Sequence, residues 1–172
     1  HESYEKFYSF SREQAMQAVS YYREYYEEKG MFENEVYPGI KQLLRDLIKQ
    51  GVLCLVATSK PEIYAKKILD YYELSNYFYY IAGANMDGTR TDKAEVIAYA
   101  LKQIPAEYSN KKVLMVGDRS HDIIGAKKNG IDCAGVLFGY GSREELEEAG
   151  ADFVADSVEA VRNIVFLNAA KN

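Results

Sequence analysis

Apolar and polar positions alternate along the chain in a pattern that indicates strands separated by helices. Three continuous apolar runs, Val52–Ala57, Val113–Val116 and Cys133–Leu137, are typical of strands buried on both faces. Two shorter runs, Tyr77–Ile81 and Phe153–Val154, predict further strands. Between the runs, apolar residues recur at helical spacing. The sequence therefore predicts an α/β fold, with a Rossmann-like, mainly parallel sheet and helices on both of its faces.

Start and stop signals place the helices. Ser11 and Gln14 form the S-x-x-Q pattern of a capping box, which predicts a helix from about residue 12 to Gly30. Pro38 and Gly51 are expected to bracket a second amphipathic helix. Further helices are predicted after Pro61, over residues 93–103, over Ile123–Lys128, and after Ser142 and Ser157.

The N-terminal part of the chain differs in composition from the rest. Residues 1–34 are rich in tyrosine and carry four basic and seven acidic side chains. Strands and helices alternate only from Tyr37 onward. We therefore expect two parts, a helical piece over residues 1–34 and an α/β body over residues 35–172. Tyrosines at helical spacing are expected to pack in a core or an interface, so this helix is a candidate surface for a homodimer.

Composition and charge narrow the class of protein. The chain has 172 residues, of which 48% are hydrophobic and 27% charged, as in globular domains. A net charge of −5 argues against a nucleic-acid partner. No apolar run approaches the roughly 18 residues of a membrane span, and no signal peptide is evident. Cys54 and Cys133 lie in apolar stretches and are expected to be buried thiols rather than a disulfide, which favours a cytoplasmic location.

Three groups of polar residues follow predicted strands or begin predicted helices, and each is a candidate for ligand binding. In parallel sheets, ligands bind beyond the carboxyl ends of the strands. The first group, Thr58-Ser59-Lys60-Pro61, places two hydroxyl groups at the start of a helix, where free N–H groups suit a phosphate. An ordinary helix cap is the alternative interpretation of this group.

The second group follows the predicted strand Val113–Val116 and contains two carboxylates. In Gly117-Asp118-Arg119-Ser120-His121-Asp122, Asp118 lies in the loop and Asp122 in the first turn of a helix. Hard oxygen ligands that converge in this way suit Mg²⁺. The alternative is structural, with Asp118 in a turn and Asp122 as a helix cap.

Lys93 is the third candidate, because it lies at the start of a predicted helix. A cation there opposes the helix dipole, and a phosphate or carboxylate partner would remove the conflict. A solvated surface lysine is the alternative interpretation.

Taken in this order, these groups resemble the motifs of haloacid-dehalogenase-superfamily phosphatases, in particular the phosphoglycolate-phosphatase-like group with a helical cap. V-A-T-S-K-P matches the second motif, Lys93 the third, and G-D-R-S-H-D the fourth, which is G-D-x-x-x-D. V-Y-P-G-I and G-Y-G-S-R-E-E-L also look like this group. The resemblance covers residues 1–172. It implies that residues 1–34 are part of a small helical cap and that residues 35–172 are a Rossmann-like core without its first strand.

The resemblance implies an Mg²⁺-dependent phosphatase that hydrolyses a small phosphorylated metabolite through an aspartyl-phosphate. Thr58 and Ser59 would bind phosphate oxygens, and Lys93 would contact both the phosphate and the nucleophile. Asp118 and Asp122 would hold the metal ion, Asp122 either directly or through water. Thr58 and Lys93 are thus the expected catalytic residues of this chain.

The superfamily's first motif, D-x-D-G-T, which supplies the nucleophile, is not found at its usual place. We therefore expect the nucleophilic Asp and the central strand that carries it to precede residue 1 in a longer polypeptide, and we expect residues 1–172 alone to be inactive. Asn85-Met86-Asp87-Gly88-Thr89 is one residue away from that motif, but an Asn cannot act as a carboxylate nucleophile, and Asp-Gly is a common turn.

Two other classes of function remain open from the sequence. One is a catalytically inactive relative that binds phosphate or a metabolite. The other is a dinucleotide-binding domain, because Gly139-Tyr140-Gly141 gives G-x-G before a helix, although Glu144 stands where the third glycine belongs.

Overall fold

The computed structural model describes residues 6 and 8–169, without the side chains of residues 168 and 169. The chain divides into two compact units, one ending at Glu35 and the other beginning at Val36. Residues 1–5 and 7 of the predicted cap lie outside the described residues. None of the helices in the described part combines the length and apolar character that a membrane crossing needs.

The N-terminal unit contains the predicted tyrosine-rich helix. This helix, α1, spans Arg12–Glu28 and is followed by a 3₁₀ turn at Gly30–Phe32. The predicted capping box is confirmed, because the Ser11 hydroxyl accepts from the Gln14 N–H at 3.2 Å and the Gln14 side chain accepts from the Ser11 N–H at 2.9 Å. Tyr22 and Tyr26 stack on each other with ring centroids 5.7 Å apart.

The second unit contains the predicted alternation of strands and helices. Its strands are β1 Leu55–Pro61, β2 Tyr80–Ala84, β3 Leu114–Gly117, β4 Asp132–Val136 and β5 Phe153–Ala155. Its helices are α2 Ile40–Lys49, α3 Glu62–Tyr71, α4 Lys93–Leu101, α5 Ser120–Lys128, α6 Arg143–Glu148 and α7 Val158–Ala169.

All strand pairs are parallel, as predicted, but they form two sheets rather than one. β1 pairs with β2, and β3, β4 and β5 form the second sheet in that order. Among the described residues, β1 therefore has one edge without a strand partner, and so does β3. The parallel α/β class is confirmed, with the sheet divided between its first two and last three strands.

Helices cover both faces of the three-stranded sheet. On one face, Leu43 and Leu47 of α2 and Val161 of α7 pack against Val136 and Ala155. On the other face, apolar residues of α5 and α6 pack around a buried strand residue; they are Ile123, Ala126, Leu146 and Cys133. A third cluster joins β2 and α4 through Ala82, Val96 and Ala100. This layering agrees with the predicted fold.

The predicted burial of the strands holds for some and is wrong for others. Cys133–Val136 is buried, as expected, and lies in the central strand of the three-stranded sheet; Ile81–Ala84 is buried too. Val52–Ala57 and Val113–Val116 are also expected to be buried on both faces. The first run contains only half-buried residues, however, and in the second the Val116 side chain is 39% exposed. Both runs belong to strands with an unpaired edge. β2 has an unpaired edge too, but Ala82 of this strand is buried against Val96 and Ala100 of α4.

Strand limits differ from the sequence-based ones by up to four residues. Leu55 lies opposite Tyr80 in the parallel pairing, so β1 and β2 begin three residues later than their apolar runs. β1 also continues through Thr58–Lys60, which were expected at the start of a helix, to Pro61, with a shift of register after Ala57. Apolar character marks where the chain is buried, whereas hydrogen bonding to a neighbour decides where a strand starts.

Candidate functional site

Lys93 connects the ends of the two sheets. It is the first residue of α4, and its Nζ donates a hydrogen bond of 3.0 Å to the Ala57 carbonyl in β1. The same Nζ lies 2.9 Å from Asp122 Oδ1 in α5, which begins just after β3. The two side chains are only 10% and 6% exposed, so Lys93 is not the solvated surface lysine of the alternative interpretation.

The contact between Lys93 and Asp122 is an ion pair without the directed geometry of a hydrogen bond, since Asp122 Oδ1 accepts no hydrogen bond from the described residues. The carboxylate nevertheless opposes the charge that Lys93 places at the N-terminus of α4. Asp92 assists by capping that helix, because its side chain accepts from the Ala94 N–H at 2.8 Å. A buried pair of this kind holds both side chains in defined positions.

The other oxygen of Asp122 shapes the loop before α5. Asp122 Oδ2 accepts from the N–H groups of Asp118 at 3.1 Å and Arg119 at 3.2 Å. A Cβ at Gly117 would overlap the Asp122 side chain, so glycine is required for this close approach. The helix-cap interpretation of Asp122 is therefore correct, and the same carboxylate also pairs with the candidate catalytic lysine.

Asp118 lies at the carboxyl end of β3, against the loop that follows β4. It is half-buried, and its Oδ2 accepts from the Tyr140 N–H at 2.9 Å. A Cβ at Gly139 would overlap the Asp118 side chain, and one at Gly141 would overlap the Asp118 carbonyl oxygen. The G-x-G sequence therefore lets the chain pass close to Asp118, which accounts for its glycines without a dinucleotide.

Glu145 is a residue of this site that the sequence analysis did not identify. Its Oε1 accepts from the Ser120 N–H at 2.8 Å and from Arg119 Nε at 2.9 Å. These bonds, led by the one from the Ser120 N–H, lower the pKa of Glu145 from 4.5 to about 2. The S-x-x-E spacing from Ser142 signals a helix cap, and the Ser142 hydroxyl does accept from the Glu145 N–H. Nothing in that spacing shows that the carboxylate reaches α5.

Thr58 and Ser59 lie where β1 shifts its register. The Thr58 hydroxyl accepts from the Lys60 N–H at 3.2 Å, and Ser59 is exposed. Thr58 directly follows Ala57, whose carbonyl binds Lys93. The structure thus brings Lys93, Asp122 and Asp118 into one connected network and places Thr58 one residue away from it.

The sequence Asn85–Thr89 folds as a closed turn. Asp87 Oδ1 accepts from the Thr89 N–H at 2.9 Å and from its hydroxyl at 2.7 Å, and the hydroxyl bond is the main cause of the lowered pKa of Asp87. Asn85 also contacts Thr89, with its Nδ2 2.7 Å from the hydroxyl oxygen. Asp87 is therefore a turn residue, as the sequence analysis expected.

Arg90 is a second residue that the sequence analysis missed. It donates to the Gly83 carbonyl at 2.8 Å and to Asn85 Oδ1 at 2.9 Å, and it lies 3.3 Å from Glu62 Oε2. Its guanidinium also lies 3.7 Å from the ring centre of Tyr99 in α4. Arg90 thus joins the end of β2 and the start of α3 to the helix that carries Lys93.

Asp118 is the residue in this network best suited to a metal ion. Mg²⁺ commonly binds through one or two carboxylates and completes its shell with water and substrate phosphate. Asp118 is half-buried and accepts one backbone N–H, which leaves acceptor capacity, whereas Asp122 is committed to Lys93 and two N–H groups. In the described part of the chain, no three His, Cys, Asp or Glu side chains cluster as metal ligands. The residues therefore fit a cation bound mainly by Asp118, with further ligands from elsewhere.

Comparison with known families gives a match over most of the chain. The model of haloacid dehalogenase-like hydrolases matches residues 1–136. A protein named 5'-nucleotidase from Pseudomonas aeruginosa is 38% identical over 160 residues, which are 92% of this chain and 71% of that protein. A phosphoglycolate phosphatase from Vibrio cholerae is 27% identical and covers 92% of this chain and 70% of its own length.

Two further matches bear on the length and the fold. The tyrosine-protein kinase PtkA of Mycobacterium tuberculosis is 40% identical over 142 residues, and the chain spans about half of that protein, 48%. The crystal structure of a "putative phosphatase" from Clostridium difficile is 48% identical with a TM-score of 0.90, and the match covers 96% of this chain and 76% of that one.

Proposed function

Because the chain belongs to the haloacid dehalogenase-like hydrolase family, we propose that it acts as a phosphatase on a small phosphate monoester. One observation carries the proposal: Lys93 is buried between Asp122 and the carbonyl of Ala57, which is the residue before Thr58. Lys93 of the third motif thus contacts the backbone of the second motif and Asp122 of the fourth beyond the strands, where parallel sheets bind ligands.

Lys93 would bind the phosphate and stabilise the charge that develops on it during transfer. Its ammonium carries three donors, of which one is used by Ala57. The Thr58 hydroxyl and the Ser59 N–H would bind phosphate oxygens where β1 shifts its register. Binding of this kind positions the phosphorus atom and lowers the barrier through electrostatics.

Asp118 would be the carboxylate that holds Mg²⁺, and Asp122 would support it through water. When bound, Mg²⁺ neutralises negative charge on the transferring phosphate. The Tyr140 N–H orients the Asp118 carboxylate beforehand, and the ion pair with Lys93 holds Asp122 in place. The site would therefore be arranged before substrate arrives.

We further propose that the nucleophilic Asp lies on a strand between β1 and β3, supplied by residues that precede residue 1. The unpaired edges of these strands, and their incomplete burial, support this placement. Lys93 contacts Ala57 of β1 and Asp122 of the helix that follows β3, which lie on the two sides of the proposed strand. The Asp would attack the phosphorus atom and break its ester bond, which releases the alcohol of the substrate and leaves an aspartyl-phosphate. Water would then hydrolyse this intermediate to inorganic phosphate and the free Asp.

Nucleoside monophosphates are the first substrates to test, because the relative that is 38% identical is named a 5'-nucleotidase. Phosphoglycolate is the second, from the name of a more distant relative. We propose that the protein acts in the cytoplasm on such a phosphorylated metabolite, with residues 1–34 as part of a cap and α1 as a surface for a homodimer.

The test is phosphate release by the full-length protein from a panel of phosphate monoesters, with and without Mg²⁺. We expect Mg²⁺-dependent release that Asp118→Asn abolishes. Asp87→Asn is the matched control, since Asp87 lies in a closed turn outside the network and the substitution makes the same chemical change. If the folded protein binds phosphate esters but releases no phosphate, the inactive binding relative is the correct alternative.

A further inference from the structure

We propose that Glu145 is a positioning residue that sets the conformation of Asp118 for binding a divalent cation. This inference rests on the proposed function, because it assigns a role in the same site. Glu145 belongs to α6, which begins after the loop that follows β4, and it lies outside the second, third and fourth motifs.

Carboxylates hold three consecutive N–H groups of the loop that carries Asp118. The N–H groups of Asp118 and Arg119 donate to Asp122 Oδ2, at 3.1 and 3.2 Å. The N–H of Ser120 donates to Glu145 Oε1 at 2.8 Å. Asp122 is local to the loop, whereas Glu145 is 25 residues further along the chain. Glu145 is therefore the side chain that ties this loop to a separate element.

The segment that ends at Glu145 also contacts Asp118 directly. The Tyr140 N–H donates to Asp118 Oδ2 at 2.9 Å, and the backbone at Gly141 passes so close to the Asp118 carbonyl that a Cβ there would overlap it. The segment 139–145 thus holds the Asp118 carboxylate at one end and the backbone after Asp118 at the other. Moving α6 relative to α5 would disturb both contacts.

Glu145 also neutralises a cation beside the proposed metal ligand. Arg119 follows Asp118 in sequence, and its Nε lies 2.9 Å from Glu145 Oε1. Without that partner, the guanidinium would be free to pair with Asp118 and to repel a divalent cation. Loss of Glu145 is therefore expected to weaken cation binding in two ways, by loosening the loop and by releasing a competing positive charge.

Residues that orient a metal ligand affect metal affinity without touching the metal. Removing such partners typically costs about 10- to 100-fold in metal affinity or activity. We expect Glu145→Ala to raise the dissociation constant for Mn²⁺, a paramagnetic substitute for Mg²⁺, by roughly this factor. Glu145→Gln should have a smaller effect, because the amide oxygen can still accept from the Ser120 N–H.

The experiment measures Mn²⁺ binding by the full-length protein with electron paramagnetic resonance, together with phosphate release as Mg²⁺ and substrate are varied separately. Glu144→Ala is the matched control, because Glu144 is an exposed neighbour in the same helical turn. We expect weaker Mn²⁺ binding and a higher Mg²⁺ requirement for the Glu145 variants, an unchanged substrate KM at saturating Mg²⁺, and no change for Glu144→Ala.

Each outcome decides a separate question. Wild-type Mn²⁺ affinity in folded Glu145→Ala overturns the inference, and so does an equal loss of metal and substrate binding, which would mark a purely structural role. If Glu145→Ala does not fold, Glu145→Gln decides by the same criteria. A wild-type protein that neither binds Mn²⁺ nor releases phosphate overturns the proposed function instead.

Discussion

At the scale of single residues, Lys93 shows how a local conflict is resolved by tertiary structure. A lysine at the first position of a helix is unfavourable by itself, and the buried Asp122 carboxylate supplies the missing negative charge. Each partner thereby keeps the other from being an unpaired buried charge. The same arrangement holds an ammonium group at the ends of two sheets, where the proposed function needs it.

Lys93→Ala is expected to lower both activity and stability. Loss of a charge contact to the transferring phosphate should reduce turnover by about 100-fold or more. Breaking the buried pair leaves Asp122 unpaired, which should cost roughly 3 kcal/mol in the free energy of unfolding. Phosphate release and urea unfolding measure the two effects, with Lys102→Ala, an exposed lysine at the end of the same helix, as the control. Near-normal turnover of Lys93→Ala would contradict the assignment of Lys93.

Gly139→Ala is expected to displace Asp118, because the added methyl group would occupy the space of the Asp118 side chain. Metal-dependent phosphate release should then be largely lost while the fold remains. Tyr140→Ala is the control, since its side chain is 87% exposed and its N–H, which binds Asp118, is retained. A Gly139→Ala variant with the activity of Tyr140→Ala would show that the close approach is unimportant.

The two cysteines are expected to be unreactive in the folded protein. Both are free thiols; Cys133 is fully buried and Cys54 half-buried, and burial is the main cause that raises the pKa of each. Iodoacetamide at pH 7.5 should label both slowly until urea unfolds the chain, as mass spectrometry of timed samples can show. Rapid labelling of Cys133 under native conditions would mean that its strand opens readily.

At the scale of elements, α6 is tied to the start of α5 by Glu145, and this link is pH-dependent. The pKa of the Glu145 carboxyl is about 2 in the folded protein against an ordinary 4.5. The contribution of Glu145 to stability is therefore complete above pH 4.5 and is lost as the pH falls towards 2. The difference in unfolding free energy between the wild type and Glu145→Gln should therefore be constant near neutral pH and shrink below pH 4.5. Urea unfolding at several pH values measures it, and a difference that grows on acidification would contradict the pairing.

The sequence predicts most of these elements and part of the site, for identifiable reasons. Ser11, Ser142 and Ser157 act at short range, so their caps can be predicted from spacing alone. Asp118, Asp122 and Lys93 follow from ordered motifs. Glu145 does not, because its partners Arg119 and Ser120 are 26 and 25 residues away in sequence. Arg90 does not either, because it lies in the loop before α4, where no motif indicates its bonds to Gly83 and Asn85.

At the scale of the whole molecule, burial depends on neighbours that a single strand does not specify. β4 has the burial that its apolar run predicts, whereas β1 and β3, with equally apolar runs, remain half-buried. β4 has a strand neighbour on both edges, whereas β1 and β3 each have one unpaired edge. β2 also has an unpaired edge and is buried against α4 instead. Exposed apolar strands with free edges favour pairing with a further strand.

The proposal that a preceding strand fills this position can be tested on residues 1–172 alone and on a longer protein that includes the preceding residues. In the shorter chain, the amides on the unpaired edges of β1 and β3 should exchange with solvent much faster than those of β4, because no strand protects them. In the longer protein, both strands should become protected together, and thermal unfolding should become a single cooperative transition. A monomeric shorter chain that already unfolds cooperatively, with β1 and β3 fully protected, would show that the two sheets need no further strand. The nucleophile would then have to be sought among Asp118, Asp122 and the other carboxylates of this chain.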